Sequence, residues 1–165
     1  MSRWSDGSLE ERVLLNPAFC ANLIWHFAAT GSEAGRRPMT FAESFLVLPM
    51  VLHRATRDAL PRSTRTSLGA WLDGNPAWQA NITARAKVLV PFTRDALLFA
   101  GTRQFISLEN EVIAADLTWR RRVNAALRES TEEAQMCAKK ATFIGAWFSE
   151  AGDAATVMSL IGVRP

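Results

Sequence analysis

The chain has 165 residues, of which 48% are hydrophobic and 21% are charged, and its formal net charge is +3. These values are typical of a globular protein and exclude a fibrous or an intrinsically disordered one. The longest apolar run, at 45–52, is much shorter than a membrane-spanning helix and contains Pro49. The sequence therefore predicts a single domain over 1–165. We expect it in the cytoplasm, because no apolar stretch of signal-peptide length follows Met1.

The cationic residues are unusual in type and in position. Only three of the 19 are lysines, namely Lys87, Lys139 and Lys140. The arginine excess reflects either a GC-rich genome or an interaction surface, because arginine is favoured where bidentate or stacked contacts form. The segment 61–103 carries six cations and two anions, which indicates either a local basic surface or a solvated helix face.

The start of the chain predicts two helices. Residues 16–17 supply an Asn cap and a Pro at the first helical position, and Gly31 ends the apolar repeat that follows. Thr40 and Glu43 form a capping box for the second helix. Pro49 is expected to kink that helix.

The next segment predicts a connector and three further helices. Residues 54–66 are polar and interrupted by a proline, so they read as the connector. A third helix follows over 68–74 and a fourth over 76–90. Pro91 is expected to end the fourth helix, and a short fifth helix is predicted over 93–101.

A β-hairpin and two more helices complete the predicted order. Apolar, β-favouring residues over 105–113 flank a polar turn, as in a hairpin. Ser130 and Glu133 form a capping box for a long helix, and Asp153 caps a short final one. The long helix has an apolar stripe at helical spacing, formed by Cys137, Ala141, Ile144 and Phe148.

This order predicts a mainly α fold with a small β-hairpin. Short helices followed by a hairpin are typical of a winged helix-turn-helix, which we assign to 41–117. The helical segments 13–31 and 130–163 are expected to pack on this core or to mediate assembly.

No residue pattern predicts catalysis. His26 and His53 have no Cys, Asp or Glu at metal-ligand spacing, and no nucleotide-binding or nucleophile motif occurs. Cys20 and Cys137 lie in apolar surroundings and are expected to be buried thiols in a reducing compartment. We therefore expect no enzyme activity, no metal and no cofactor.

Two arginine-rich segments are candidates for partner binding or phosphate contact. Each is either such an interface or a solvated stretch. The predicted connector contains the first group: Arg54, Arg57, Arg62 and Arg65. The segment after the hairpin contains the second group: Trp119, Arg120, Arg121 and Arg122.

Two further features are candidates for contact with another chain. Trp4 and Trp119 do not follow the helical apolar repeats, so one of them is a candidate partner anchor. The C-terminus is apolar for a free tail, with Ile161 and Val163 as its candidate contact residues. It docks either on its own domain or on another chain.

Four stretches resemble the middle components of bacterial three-component ABC systems. They are NPAFC at 16–20, FLVLPMVLH at 45–53, LPRSTRTSL at 60–68 followed by AWL at 70–72, and LIGVRP at 160–165. The resemblance extends over roughly 13–165, and none of its motifs is catalytic. The arginine-rich connector and the GVRP end are its most distinctive parts.

The resemblance implies an accessory subunit encoded between an SMC- or Rad50-like ABC ATPase and an effector, which is often a nuclease. Such systems include the Lamassu type of anti-phage and anti-plasmid defence. The resemblance implies that the subunit binds the ATPase and keeps the effector inactive until DNA is sensed, with DNA contact mainly indirect. The alternative is an autonomous winged-helix DNA-binding regulator, supported by the basic segment and the element order.

Overall fold

A computed structural model describes residues 13–164. The α-helices of this part of the chain are α1 (Pro17–Ala29), α2 (Phe41–Ser44), α3 (Val47–Val51), α4 (Arg54–Ala59), α5 (Leu68–Gly74), α6 (Pro76–Thr102), α7 (Arg120–Arg128), α8 (Glu132–Ala151) and α9 (Ala154–Ile161). The strands are β1 (Met39–Thr40), β2 (Ile106–Glu109) and β3 (Val112–Ala115), and two 3-10 helices cover Thr30–Ser32 and Leu117–Trp119. The fold is mainly helical with a small antiparallel sheet.

Helix α1 lies at the centre of the core. The Asn16 side chain accepts a hydrogen bond from the Ala18 N–H (2.9 Å), and Pro17 occupies the first turn, as predicted. Most of the circumference of α1 is apolar and must be covered, and α1 packs against α6, α8, α3 and β3. Of these elements, α3, α6 and β3 lie within 41–117, so α1 packs on the segment assigned to the predicted core. The side that carries Ala18, Asn22 and His26 is partly exposed. The buried residues of α1 are Cys20, Ala21, Leu23, Ile24, Trp25, Phe27, Ala28 and Ala29.

The predicted capping box at the second helix is confirmed. Thr40 Oγ1 accepts the Glu43 N–H (3.3 Å), and Glu43 Oε2 accepts the Thr40 N–H (3.0 Å). The helix is interrupted at 45–46 and resumes as α3, instead of bending at Pro49. Pro49 has no N–H to donate to the carbonyl one turn earlier. As the third residue of α3, it occupies a position where no intrahelical donor is needed.

The predicted helix end at Pro91 is wrong, because α6 continues from Pro76 to Thr102. Proline inside a helix costs about 3 kcal/mol through the lost hydrogen bond and the ring clash. Burial of apolar side chains on both sides of Pro91 offsets this cost. The buried stripe of α6 continues at helical spacing through Ile82, Ala86, Leu89, Thr93, Ala96 and Ala100.

The predicted hairpin is confirmed and belongs to a three-stranded sheet. Strands β2 and β3 are antiparallel, and Asn110 and Glu111 have positive φ angles of 49° and 65°, as in a two-residue type I′ turn. Strand β1 pairs with β3, with Met39 opposite Ile113, which gives the order β1-β3-β2. Two residues are too few to show a β pattern, so this third strand was not predictable from the sequence.

The cap of the long helix near the C-terminus lies one residue later than predicted. Thr131, and not Ser130, is the cap, and its Oγ1 accepts the Ala134 N–H (3.2 Å). The predicted stripe of α8 is confirmed as buried. Gly152 ends α8 with a φ of 125°, and Asp153 Oδ1 caps α9 by accepting the Thr156 N–H (2.8 Å).

We predict that Gly145→Ala destabilises the protein. Gly145 of α8 faces α1, where an added Cβ would lie 2.8 Å from the Phe27 carbonyl oxygen and clash with Thr30 Oγ1. We expect a loss of about 1–3 kcal/mol in the free energy of unfolding, measured by urea denaturation. Gly69→Ala is the matched control. Its Cβ would meet only Leu160 at 3.7 Å, so it should gain up to about 1 kcal/mol. Equal stability of the two variants would contradict the close approach of α1 and α8.

Candidate functional site

The first half of the predicted connector is a helix. Residues 54–59 form α4, which packs against α3. The prediction of a polar connector over 54–66 is therefore wrong for residues 54–59. Thr56 and Arg57 face the interior, although both are polar in the sequence. The irregular connector is limited to 60–67.

Arg57 joins three helices in the interior. Its side chain is only 3% exposed. The guanidinium donates to the Val51 carbonyl oxygen (2.8 Å), to Cys137 Sγ (3.2 Å) and to Glu133 Oε1 (2.9 Å). Burial raises the pKa of Cys137, although Arg57 beside it acts in the opposite direction. Arg57 therefore positions α4 against α3 and α8, and both terminal nitrogens of its guanidinium have partners within the chain.

The connector at 60–67, which we call the Arg loop, is held by two indole groups. Trp71 Nε1 donates to the Ala59 carbonyl oxygen (3.1 Å) immediately before the loop. Trp147 Nε1 donates to the Thr66 carbonyl oxygen (2.7 Å) near its end. The two indole rings pack edge to face at 5.6 Å. Both ends of the Arg loop are thereby fixed to the core.

Arg62 and Arg65 project from the Arg loop into solvent. Neither forms an ion pair with any residue of 13–164. Arg54 is 81% exposed, and its Nε lies 3.6 Å from Asp58 Oδ2 on the same helix. Such an exposed pair contributes little to stability, so Arg54 also remains accessible.

Two residues of the second arginine group, Trp119 and Arg122, line a pocket of about 240 Å³. Trp119 is half-buried and packs edge to face on Phe105 at 5.5 Å. The Arg122 guanidinium lies 5.5 Å from the Trp119 ring centre, and Arg103 lies 4.2 Å from the ring centre of Phe99. Arg103 and Phe99 also line this pocket, although neither was a predicted site residue. They join the pocket because α6 continues beyond Pro91.

Arg120, Arg121 and Arg122 form the exposed first turn of α7. Positive charges are unfavourable there, because the amino end of a helix already carries partial positive charge. None of the three forms an ion pair within the described part of the chain. Their placement does not stabilise α7, so it favours a role in binding an acidic group.

The C-terminal helix docks on its own domain. Ile161 is 1% exposed and belongs to the core. Gln79 Nε2 donates to the Leu160 carbonyl oxygen (2.7 Å), and Thr83 Oγ1 donates to that of Ile161 (3.2 Å). Val163 is half-buried at the edge of a groove of about 750 Å³. Trp4, the other candidate anchor, lies outside the described residues.

The comparison with protein families gives one match. Residues 4–165 match the family described as ABC-three component (ABC-3C) system Middle Component 3. The chain belongs to this family. Neither the search of curated proteins nor that of solved structures found a match. The family description implies that the partners of this middle component lie within a three-component ABC system.

The histidines of this middle component lie apart from each other and from acidic clusters. Burial and the nearby Arg120 lower the pKa of His26 to about 4. His53 Nδ1 lies 2.7 Å from Thr56 Oγ1, and its pKa is lowered by burial and by Arg85 and Arg57. Within 13–164, no three potential ligand side chains group around a metal position. None of the described helices is long and apolar enough to cross a membrane.

We predict that Glu133→Ala destabilises the protein more than Glu132→Ala does. Both carboxylates lie in the first turn of α8, but only Glu133 pairs with the buried Arg57. Loss of this charged hydrogen bond should lower the free energy of unfolding by about 1–3 kcal/mol. The Glu132 change should cost less than about 1 kcal/mol. Urea denaturation of both variants would measure the difference, and equal losses would argue against an anchoring role for Arg57.

We predict that His26 makes the protein less stable as the pH falls. The folded state holds the His26 pKa at about 4, whereas the ordinary value is 6.5. The unfolded chain therefore binds a proton first, and stability declines as the pH falls from about 6.5 towards about 4. Urea denaturation from about pH 7 to about pH 5 should show a shallower decline for His26→Gln than for the wild type. Identical slopes would contradict a neutral, half-buried His26.

Proposed function

We propose that this middle component is a non-catalytic cytoplasmic assembly subunit. It binds an SMC- or Rad50-like ABC ATPase and an effector, a nuclease, and keeps the effector inactive until the complex senses DNA. The Arg loop, with both ends hydrogen-bonded to indoles, is the observation that carries this proposal. The Lamassu type of anti-phage and anti-plasmid defence is the proposed setting.

The Arg loop has the properties of a preorganised docking surface. Association costs less when the binding segment is already ordered. Arg62 and Arg65 extend from such a segment and have no ion pair in the described residues, so they are available to carboxylates of a partner. If the loop served only to link α4 and α5, the exposed arginine side chains of Arg62 and Arg65 would have no binding role.

A bridging role requires a second contact surface. Trp119 and Arg120–Arg122 supply it on separate structural elements, the second 3-10 helix and α7. Trp and Arg are enriched among the residues that dominate binding energy at protein interfaces. We assign the Arg loop to one partner and this second surface to the other.

A winged-helix-like arrangement over 41–117 is also part of the proposal. The β2–β3 hairpin follows α6, and the short strand β1 pairs with β3. This strand order supports an interpretation in which the β2–β3 hairpin is the wing and pairs with the short strand β1 that precedes it in the chain. The long continuous α6 and the central position of α1 are departures from a small autonomous winged module.

The second candidate function is an autonomous DNA-binding regulator. The three exposed arginines at the start of α7, close to the hairpin, favour it. Phosphate contacts by such arginines would give binding that weakens steeply with salt. Under the leading proposal these arginines contact a protein partner instead, and DNA is bound through the assembled complex.

We predict that the double variant Arg62→Glu/Arg65→Glu no longer co-purifies with the ABC ATPase or with the third component. The charge reversal replaces attraction to acidic groups with repulsion and leaves the buried core unchanged. Size-exclusion chromatography of the co-expressed system would measure complex formation. Lys87→Glu/Lys139→Glu, at exposed positions of α6 and α8, is the charge-matched control. Arg57 is left unchanged, because its loss would affect folding. A normal complex with the double variant would remove the Arg loop from the interface.

We predict that the isolated protein binds duplex DNA with a Kd weaker than about 1 µM at physiological salt. Its cations are divided between separate surfaces, and several of them are paired within the chain. Fluorescence anisotropy with a labelled duplex over a salt series would test this. Tight binding with a steep salt dependence that Arg120→Glu abolishes would favour the regulator instead.

A further inference from the structure

Exposed apolar side chains gather at a groove between α6 and the hairpin. Among the described residues, seven large apolar side chains are exposed, and three of them line this groove. These are Phe41 (37% exposed), Leu98 (67%) and Leu108 (53%). Single exposed apolar residues are common on surfaces, but a group that lines one concavity indicates a binding site.

The groove has a volume of about 350 Å³, enough for a large apolar side chain of another molecule. Its lining residues come from α6, from the hairpin and from Phe41 of α2. Among the lining residues, only Arg94 is charged. It has no ion-pair partner within the described part of the chain.

Gly101 leaves the groove open on the α6 side. It lies near the end of α6 and does not have the left-handed backbone conformation that would disfavour other residues. An added Cβ at this position would meet no atom within 4 Å. A larger side chain at 101 would therefore enter the groove without displacing the core. This position offers a way to block the groove and leave the fold intact.

We propose that this groove binds a segment of a protein partner that presents an apolar side chain next to a carboxylate. The apolar side chain fills the groove, and the carboxylate pairs with Arg94 at its rim. The proposal rests on the proposed function, because the partner is the ABC ATPase or the third component of the same system. It adds a docking site that is separate from the Arg loop.

Charge and shape favour such a partner over a second copy of this chain. Arg94 is exposed at the rim of the groove, so a partner carboxylate beside it would be attracted and a partner cation would be repelled. A symmetric dimer would place the same surface on both sides of the interface. If the groove lay on the two-fold axis, two concave grooves and two Arg94 side chains would face each other, which would leave the cavity empty and the cations unpaired.

The test compares the full-length wild type with Gly101→Leu, Gly101→Ala and Arg94→Glu. The probes are the purified ABC ATPase, the purified third component and overlapping synthetic peptides that cover both. Fluorescence anisotropy should find a peptide that combines an apolar and an acidic residue. Its Kd should rise at least about tenfold with Gly101→Leu and with Arg94→Glu, and stay unchanged with Gly101→Ala. Replacing the acidic residue of the peptide by Lys should restore binding to Arg94→Glu.

Each contrary result has a distinct meaning. If Gly101→Leu is folded and binds both components and all peptides like the wild type, the groove proposal is overturned and the assembly function stands. If the wild type binds neither component, the assembly function and the groove proposal both fail. If Gly101→Leu only converts a dimer to a monomer, the groove is a self-association site and the proposal is wrong. Should Gly101→Leu fail to fold, Leu98→Asp at an exposed position replaces it, with the same expected loss.

Discussion

The need to bury most of the surface of α1 determines the arrangement of the other elements. A helix with apolar residues around most of its circumference cannot be covered on one face alone. Helices α6 and α8 cover most of it, and α3 and β3 cover the rest. The close contact with α8 requires Gly145, and the contact with α6 requires a stripe long enough to continue through Pro91. The candidate surfaces lie on the outside of these covering elements.

Local signals predicted the helix caps and the hairpin well, because they depend on residues close in sequence. The Asn16 cap, the Thr40–Glu43 box and the 109–111 turn region are all formed as expected. Predictions that depended on distant partners were less successful. Pro91 lies within a continuous helix because packing on α1 supports both of its halves. Strand β1 exists because β3 is already placed beside it.

The roles of single arginines in the candidate site also depend on distant partners that the local sequence does not reveal. Arg57 and Arg62 look equivalent in the sequence, but one is enclosed by α3 and α8 and the other is exposed. Arg37, unremarked in the sequence, donates to Glu43 Oε2 (2.9 Å) and to the Phe148 carbonyl oxygen (3.2 Å). It thereby joins β1 and α2 to the end of α8. A charge pattern locates arginines, but the roles of Arg57 and Arg37 also depend on a carboxylate and a carbonyl group supplied from more than 70 residues away.

The indoles that hold the Arg loop also give this protein a built-in optical probe. The chain contains no tyrosine, so its ultraviolet emission arises from tryptophan. Trp71 and Trp147 pack edge to face and donate their N–H groups to the backbone at the two ends of the loop. Any event that shifts those carbonyl groups changes the polarity around both rings. The wavelength of the intrinsic emission is therefore coupled to the state of the loop without an added label.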